Sequence, residues 1–189
     1  MNLPPLILGS KSPRRQSLLR EAGFEFTLRT ADADESFSPV LKGGEIPAYL
    51  ASFKSDAISI QKDECLITAD TVVCMDDEVL NKPADFQEAK SMLTLLSGKS
   101  HWVHTGVCLR QGEQKHVFVE STKVVFRDLT EEEIRYYIEN YQPYDKAGGY
   151  GIQEWIGYRG VERIEGCYQN VVGFPVARFV GELELFLAK

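Results

Sequence analysis

Asp70 is the residue whose chemistry stands out first. It lies in the middle of Cys65–Met75, CLITADTVVCM, a run rich in apolar and β-branched side chains. Such a run reads as a strand covered on both faces. An unpaired carboxylate there costs on the order of several kcal/mol. A cation, a metal, an opening onto a cleft or protonation would offset that cost. The structural alternative is an aspartate held by backbone N–H groups near a strand end. Carboxylates in unfavourable surroundings cluster at functional sites, where they serve as general bases or metal ligands.

A second group is Ser10, Lys11, Ser12, Arg14 and Arg15, in LGSKSPRR. Ser12 suits a helix N-cap and Pro13 the first helical position. Free N–H groups, the positive dipole end and two guanidiniums would make an anion site. The alternative is a capped helix with solvated arginines, although basic residues in a first turn oppose the dipole. Lys54 is the third candidate. It falls on the apolar stripe Leu50, Ala51, Ala57, Ile58 of a helix opened by Pro47. It either snorkels or meets a phosphate. The loop Asp32, Asp34, Glu35 is either solvated or a source of hard-metal ligands. Pro143–Gln153, PYDKAGGYGIQ, places adjacent opposite charges before three glycines, which let backbone approach a ligand or simply form a surface loop.

The elements that must position these residues follow from pattern. Strands are expected over 6–10, 24–30 and 65–75, with an extended segment at 79–83. Two long alternating strands, 101–110 and 115–127, join around Gln111–Gln114 as a hairpin. Helices are expected from Pro13 to Gly23, from Pro47 through about Ile60, after the N-cap Asp85 to Gly98, over 131–141 behind the capping box of Thr130 and Glu133, and over 176–187. Strand–helix units early and a hairpin later imply an α/β protein with a mixed sheet, and two lobes around a cleft.

The chain has 189 residues, 43% hydrophobic and 26% charged, with a net charge of −7. That size suits one domain over residues 1–189. The acidic balance argues against nucleic acid or an anionic membrane as partner, but not against a small polyanion in a local basic pocket. No apolar run reaches the ~18 residues of a spanning helix, and residues 1–10 carry no basic leader. The four cysteines form no CxxC pair and the three histidines no metal spacing with them. Reduced thiols in a cytoplasmic protein are expected.

Five stretches taken together are similar to one family: LGSKSPRR, ADTVV at Ala69–Val73, Asn81-Lys82-Pro83, YDKAGGYGIQ and NVVGFP at Asn170–Pro175. The chain resembles the Maf family of nucleoside triphosphate pyrophosphatases over nearly its whole length. That resemblance implies the inosine triphosphate pyrophosphatase-like fold, a mixed β-sheet flanked by helices with a cleft between two lobes. It implies hydrolysis of the bond between the α- and β-phosphates, releasing a nucleoside monophosphate and pyrophosphate. It implies a divalent cation, Mg²⁺ or Mn²⁺, and a homodimer. Arg14, Thr71 and Gln153 match the branch acting on dTTP and UTP. Gly149 stands where Ala is commoner, and Glu154-Trp155 where a small residue is common.

Carried onto this sequence, the resemblance makes Asp70 the catalytic carboxylate, as base, metal ligand or both. Ser10, Arg14, Arg15, Lys54 and Lys82 would bind the phosphates, and Glu35, with Asp34, would help hold the metal. Thr71 and Gln153 would read the base or its surroundings, an amide matching the carbonyl and N–H of a uracil or thymine edge. Asp145 and Lys146 are expected to pair or to orient the site. The biological role implied is nucleotide-pool house-cleaning. The alternative is a nucleotide-binding regulator of cell division and septum formation.

Overall fold

The computed structural model describes residues 3–32, 36–76 and 78–188. Among these, seven strands form one mixed sheet. The chain runs through β1 (Leu6–Leu8), α1 (Pro13–Glu21), β2 (Thr27–Leu28), α2 (Glu45–Asp56), β3 (Cys65–Met75), β4 (Glu78–Leu80), α3 (Phe86–Leu96), β5 (Ser100–Gln111), β6 (Gln114–Phe126), α4 (Glu131–Tyr141), α5 (Trp155–Gly160), β7 (Val161–Glu165), α6 (Tyr168–Val172) and α7 (Val176–Leu187). The strand order is β2-β1-β3-β5-β6-β7, and β4 pairs with β3. The first three strands are mutually parallel, and the later pairings are antiparallel.

Several expected boundaries move: β1 stops at Leu8 and α2 at Asp56, short of the expected ends at residue 10 and about Ile60. The second strand shrinks to Thr27–Leu28, because β1 offers it only Ile7 and Leu8 as partners. Phe24 and Phe26 pack into the core instead. Helix α2 begins at Glu45, two residues before Pro47. A proline is tolerated there because first-turn N–H groups have no intrahelical acceptor.

Period-two alternation along β3 divides the sheet into two faces. Val72 and Cys74 point to the face covered by α2, where Ile46 and Leu50 meet them. The opposite face carries two apolar clusters side by side. One joins Ile67, Ala69, Val107 and Leu109 to Leu19 of α1 and Phe179 and Leu183 of α7. The other joins Val73, Val103 and Phe126 to Leu93 of α3 and Tyr137 of α4. Between them, on the strands that serve both, lie Thr71 and Thr105, opposite each other in register and joined Oγ1 to Oγ1 at 2.9 Å. This polar seam is the boundary between the two lobes.

The seam coincides with a gap in the sheet. On one side β3 pairs with β1 from Cys65 to Ile67, extended by Gly9 N–H to the Ile67 carbonyl at 2.8 Å. It pairs with β4 from Val73 to Met75. Among the described residues no strand lies beside Thr68–Val72 on that side.

Candidate active site

A cavity of about 500 Å³ opens at this gap, within the range of small-ligand sites. Asp70 lines it from the α2 face of the sheet. Its Oδ1 lies 2.6 Å from Lys54 Nζ, and both side chains are mostly buried. The offset for the misplaced carboxylate is therefore a cation on the facing helix together with an opening onto a cleft.

Helix α2 brings Lys54 there because it packs unusually close to the sheet. A Cβ on Gly106, the β5 partner of Asp70, would lie 2.2 Å from the Pro47 carbonyl oxygen. Only glycine permits that approach. Buried Thr68 ties the helix down, its Oγ1 donating to the Ala51 carbonyl at 2.6 Å.

The loop from β1 into α1 forms one wall. Ser12 caps α1 as expected, its side chain accepting from Arg15 N–H. Ser10 is buried, and its Oγ accepts from Ser12 N–H at 3.2 Å and from Arg15 Nη1 at 3.3 Å. With both lone pairs engaged, its proton remains to be donated. The two arginines diverge. Arg14 turns across the cavity, its Nη1 donating to Asp145 Oδ2 at 2.7 Å. Arg15 turns inward. Its guanidinium donates to the carbonyls of Gly173 (2.9 Å) and Ala69 (2.8 Å), to Ser10 Oγ and to Thr71 Oγ1 (3.0 Å). At least four of its five N–H donors thus stay inside the protein, and Arg15 serves the exposed edge of β3 where a strand would otherwise sit.

Thr71 is equally engaged. Its hydroxyl meets Arg15, Thr105 and, at 3.4 Å, the Gly173 carbonyl. Thr105 passes its own proton to the Asn170 carbonyl at 3.2 Å. So the ADTVV and NVVGFP stretches are stitched to each other through Arg15 and two threonines.

The opposite wall comes from the loop after α4. Lys146 is buried, with Nζ 2.6 Å from Asp145 Oδ1 and 3.1 Å from Glu154 Oε1. Burial acts to raise the Asp145 carboxyl, but hydrogen bonds and charge from Lys146 and Arg14 outweigh it and hold the group at about 2. Gln153 also lines the cavity, and its amide oxygen is buried without a hydrogen-bond partner. Lys82 lines the mouth and is exposed. Asp34 and Glu35 lie outside the described residues.

The model of the Maf-like protein family matches residues 5–186 of this chain. The chain belongs to the Maf family. A curated protein of Bacteroides thetaiotaomicron named dTTP/UTP pyrophosphatase is 50% identical over 182 residues, covering 95% of this chain and 94% of that one. Relatives bearing the same name are 47% identical in Parabacteroides distasonis, over 96% of this chain and 95% of theirs. In Cytophaga hutchinsonii the figures are 45%, over 95% and 83%. The mixed sheet, its flanking helices and the cleft at the seam are the architecture that the Maf resemblance implies.

The cleft of this Maf protein thus unites Ser10, Arg14, Arg15, Lys54, Asp70, Thr71, Lys82 and Gln153 around one cavity. Sequence reasoning passed over Tyr137 and the part that Glu154 plays. Tyr137 lies inside the helix expected over 131–141, and nothing local marks it out from the neighbouring tyrosines. The signal for Glu154 was its position, an acid directly after Gln153.

Proposed function

We propose that this chain hydrolyses dTTP and UTP to the nucleoside monophosphate and pyrophosphate. The observation that carries the reading is one cavity holding both a carboxylate–ammonium pair and, apart from it, a buried amide oxygen awaiting a donor. The first suits water activation beside phosphates, the second a pyrimidine N–H. The names of the relatives support the same substrates.

In this reading Asp70 orients the attacking water through Oδ2 and takes its proton, while Lys54 fixes the carboxylate through Oδ1. The water oxygen bonds to phosphorus, the bond between the α- and β-phosphates breaks, and pyrophosphate leaves. A triphosphate carries about four negative charges, so neutralisation dominates the barrier. Arg14 can grip oxygens bidentately, Lys82 acts as a mobile point charge and Ser10 donates its hydroxyl proton. Arg15 contributes mainly its charge and the shape of the wall. Thr71 acts through Arg15 rather than by touching the base.

Among the described residues no group of three or more His, Cys, Asp or Glu could hold a metal ion. Asp70 nevertheless fits Mg²⁺ or Mn²⁺, since Mg²⁺ is commonly held by one or two carboxylates plus substrate phosphates. Glu35 is the proposed second ligand. When bound, the cation would neutralise charge on the phosphates. A homodimer and a cytoplasmic location complete the proposal, the latter consistent with three buried free cysteines.

Pyrophosphate release from a nucleotide panel, with and without added Mg²⁺ or Mn²⁺, tests the reading. Turnover of dTTP and UTP above dCTP and GTP is expected. Asp70→Asn should lower kcat roughly 10²- to 10⁴-fold. Near-normal turnover by that variant would refute the assigned chemistry.

A further inference from the structure

Gln153 sits at a corner of a four-residue turn. Glu154 N–H donates to the Gly151 carbonyl at 3.0 Å, closing Gly151–Glu154 with Ile152 and Gln153 at its corners. Both ends of the turn are pinned by one hydroxyl. Tyr137, buried completely in α4, accepts from Gly151 N–H at 2.9 Å and donates to Glu154 Oε2. The polarity is fixed by chemistry. A backbone N–H can only donate, so the Tyr137 oxygen accepts and its proton goes to the carboxylate.

Gly151 leaves the amide its space. A Cβ there would lie 2.9 Å from Gln153 Nε2 and 2.9 Å from Glu154 Cδ. The other Glu154 oxygen meets Lys146, Lys146 meets Asp145, and Asp145 meets Arg14 on the far wall. A single chain of polar contacts therefore runs from the core of the α3–α4 lobe to the first turn of α1. At the turn that this chain holds, the buried oxygen of Gln153 has no hydrogen-bond partner.

We propose that Tyr137 and Glu154 are positioning residues for nucleobase selection, clamping the Gly151–Glu154 turn so that the Gln153 amide stands ready for the pyrimidine edge. The proposal rests on the reading of Gln153 as the base contact. Neither residue touches substrate. Their effect is to fix one amide to within a fraction of an ångström, the tolerance that a binding group requires.

The test is a kinetic comparison in the full-length chain. Tyr137→Phe removes one oxygen, and Glu154→Gln keeps the shape while dropping the charge. Both should lower kcat/KM for dTTP and UTP roughly tenfold, mainly through KM, as expected for a small displacement of a positioning group. Values for dCTP should change little, and inhibition by inorganic pyrophosphate, which carries no base, should be unchanged. In a Gln153→Ala background, Tyr137→Phe should add no further loss of selectivity. Gly151→Ala should reproduce the effect by crowding the amide, and stands in if Tyr137→Phe fails to fold.

An equal fall for all nucleotides, or a lower Tm with selectivity intact, would overturn the proposal. If Gln153→Ala changes the nucleotide ranking but Tyr137→Phe does not, only the positioning role fails. If Gln153→Ala leaves the ranking unchanged, the base contact is wrong and the positioning role falls with it.

Discussion

Asp70 and Lys54 form a mostly buried ion pair. Removing the Lys54 ammonium leaves the Asp70 carboxylate buried without its cation, which costs about 3 kcal/mol or more. Lys54→Met should therefore lower stability in urea by about that much and abolish turnover. The double variant Lys54→Met, Asp70→Asn should recover much of the stability and none of the activity. Arg15→Lys should behave differently. A lysine cannot reach the four acceptors that the guanidinium serves, so Tm and kcat should fall together, by about 2 kcal/mol in stability. Both partners of the first pair were legible in the sequence as charges on apolar surfaces. The divergence of Arg14 and Arg15 was not, since neighbouring side chains leave a helix about 100° apart and the partners that draw them apart, Asp145 for Arg14 and Gly173, Ala69 and Thr71 for Arg15, come from distant parts of the chain.

At the scale of elements, α2 is placed by a glycine rather than by its own sequence. Gly106→Ala would drive a methyl group into the Pro47 carbonyl. Overpacking of this kind costs about 1–3 kcal/mol. It should also lower kcat by moving Lys54, whereas a purely global loss of stability would leave kcat of the folded fraction intact. Denaturation curves and active-site-normalised rates separate the two. The long elements were readable because periodicity, the Ser12 and Asp85 caps and the Thr130–Glu133 capping box all agreed. Helices α5 and α6 were not, because six and five residues carry too little periodicity to register. The turn that holds Gln153 was visible only as glycines. Its anchor, Tyr137, is supplied from another element by tertiary packing.

For the whole molecule, the lobes meet at a seam of threonines and across the cleft at the Arg14–Asp145 ion pair. With the Asp145 carboxyl held at about 2, that link persists throughout the range in which the enzyme would work. Acid acts instead through His101. It is buried beneath the glycine-rich loop, with Nε2 2.6 Å from Tyr150 OH, and burial pulls its pKa down to about 4. In the unfolded chain the ring takes a proton near pH 6.5. Stability is thus complete above about pH 6.5 and declines as pH falls towards 4, by up to about 3 kcal/mol. Thermal melts across that window should show the decline, and His101→Gln should reduce it, leaving the smaller part due to His104, whose pKa burial also lowers.

The gap in the sheet has a consequence of another kind. The carbonyls of Ile67 and Ala69 both face away from β5, towards Gly9 and Arg15, so by strand alternation the amide of Thr71 faces the same way. That amide lies in the central strand of the molecule, yet among the described residues no strand stands beside it. Its proton should exchange with deuterated solvent far faster than those of Val72 and Cys74, which face β5. It should slow when a nucleotide fills the cleft, giving one backbone position that reports occupancy from the middle of the core.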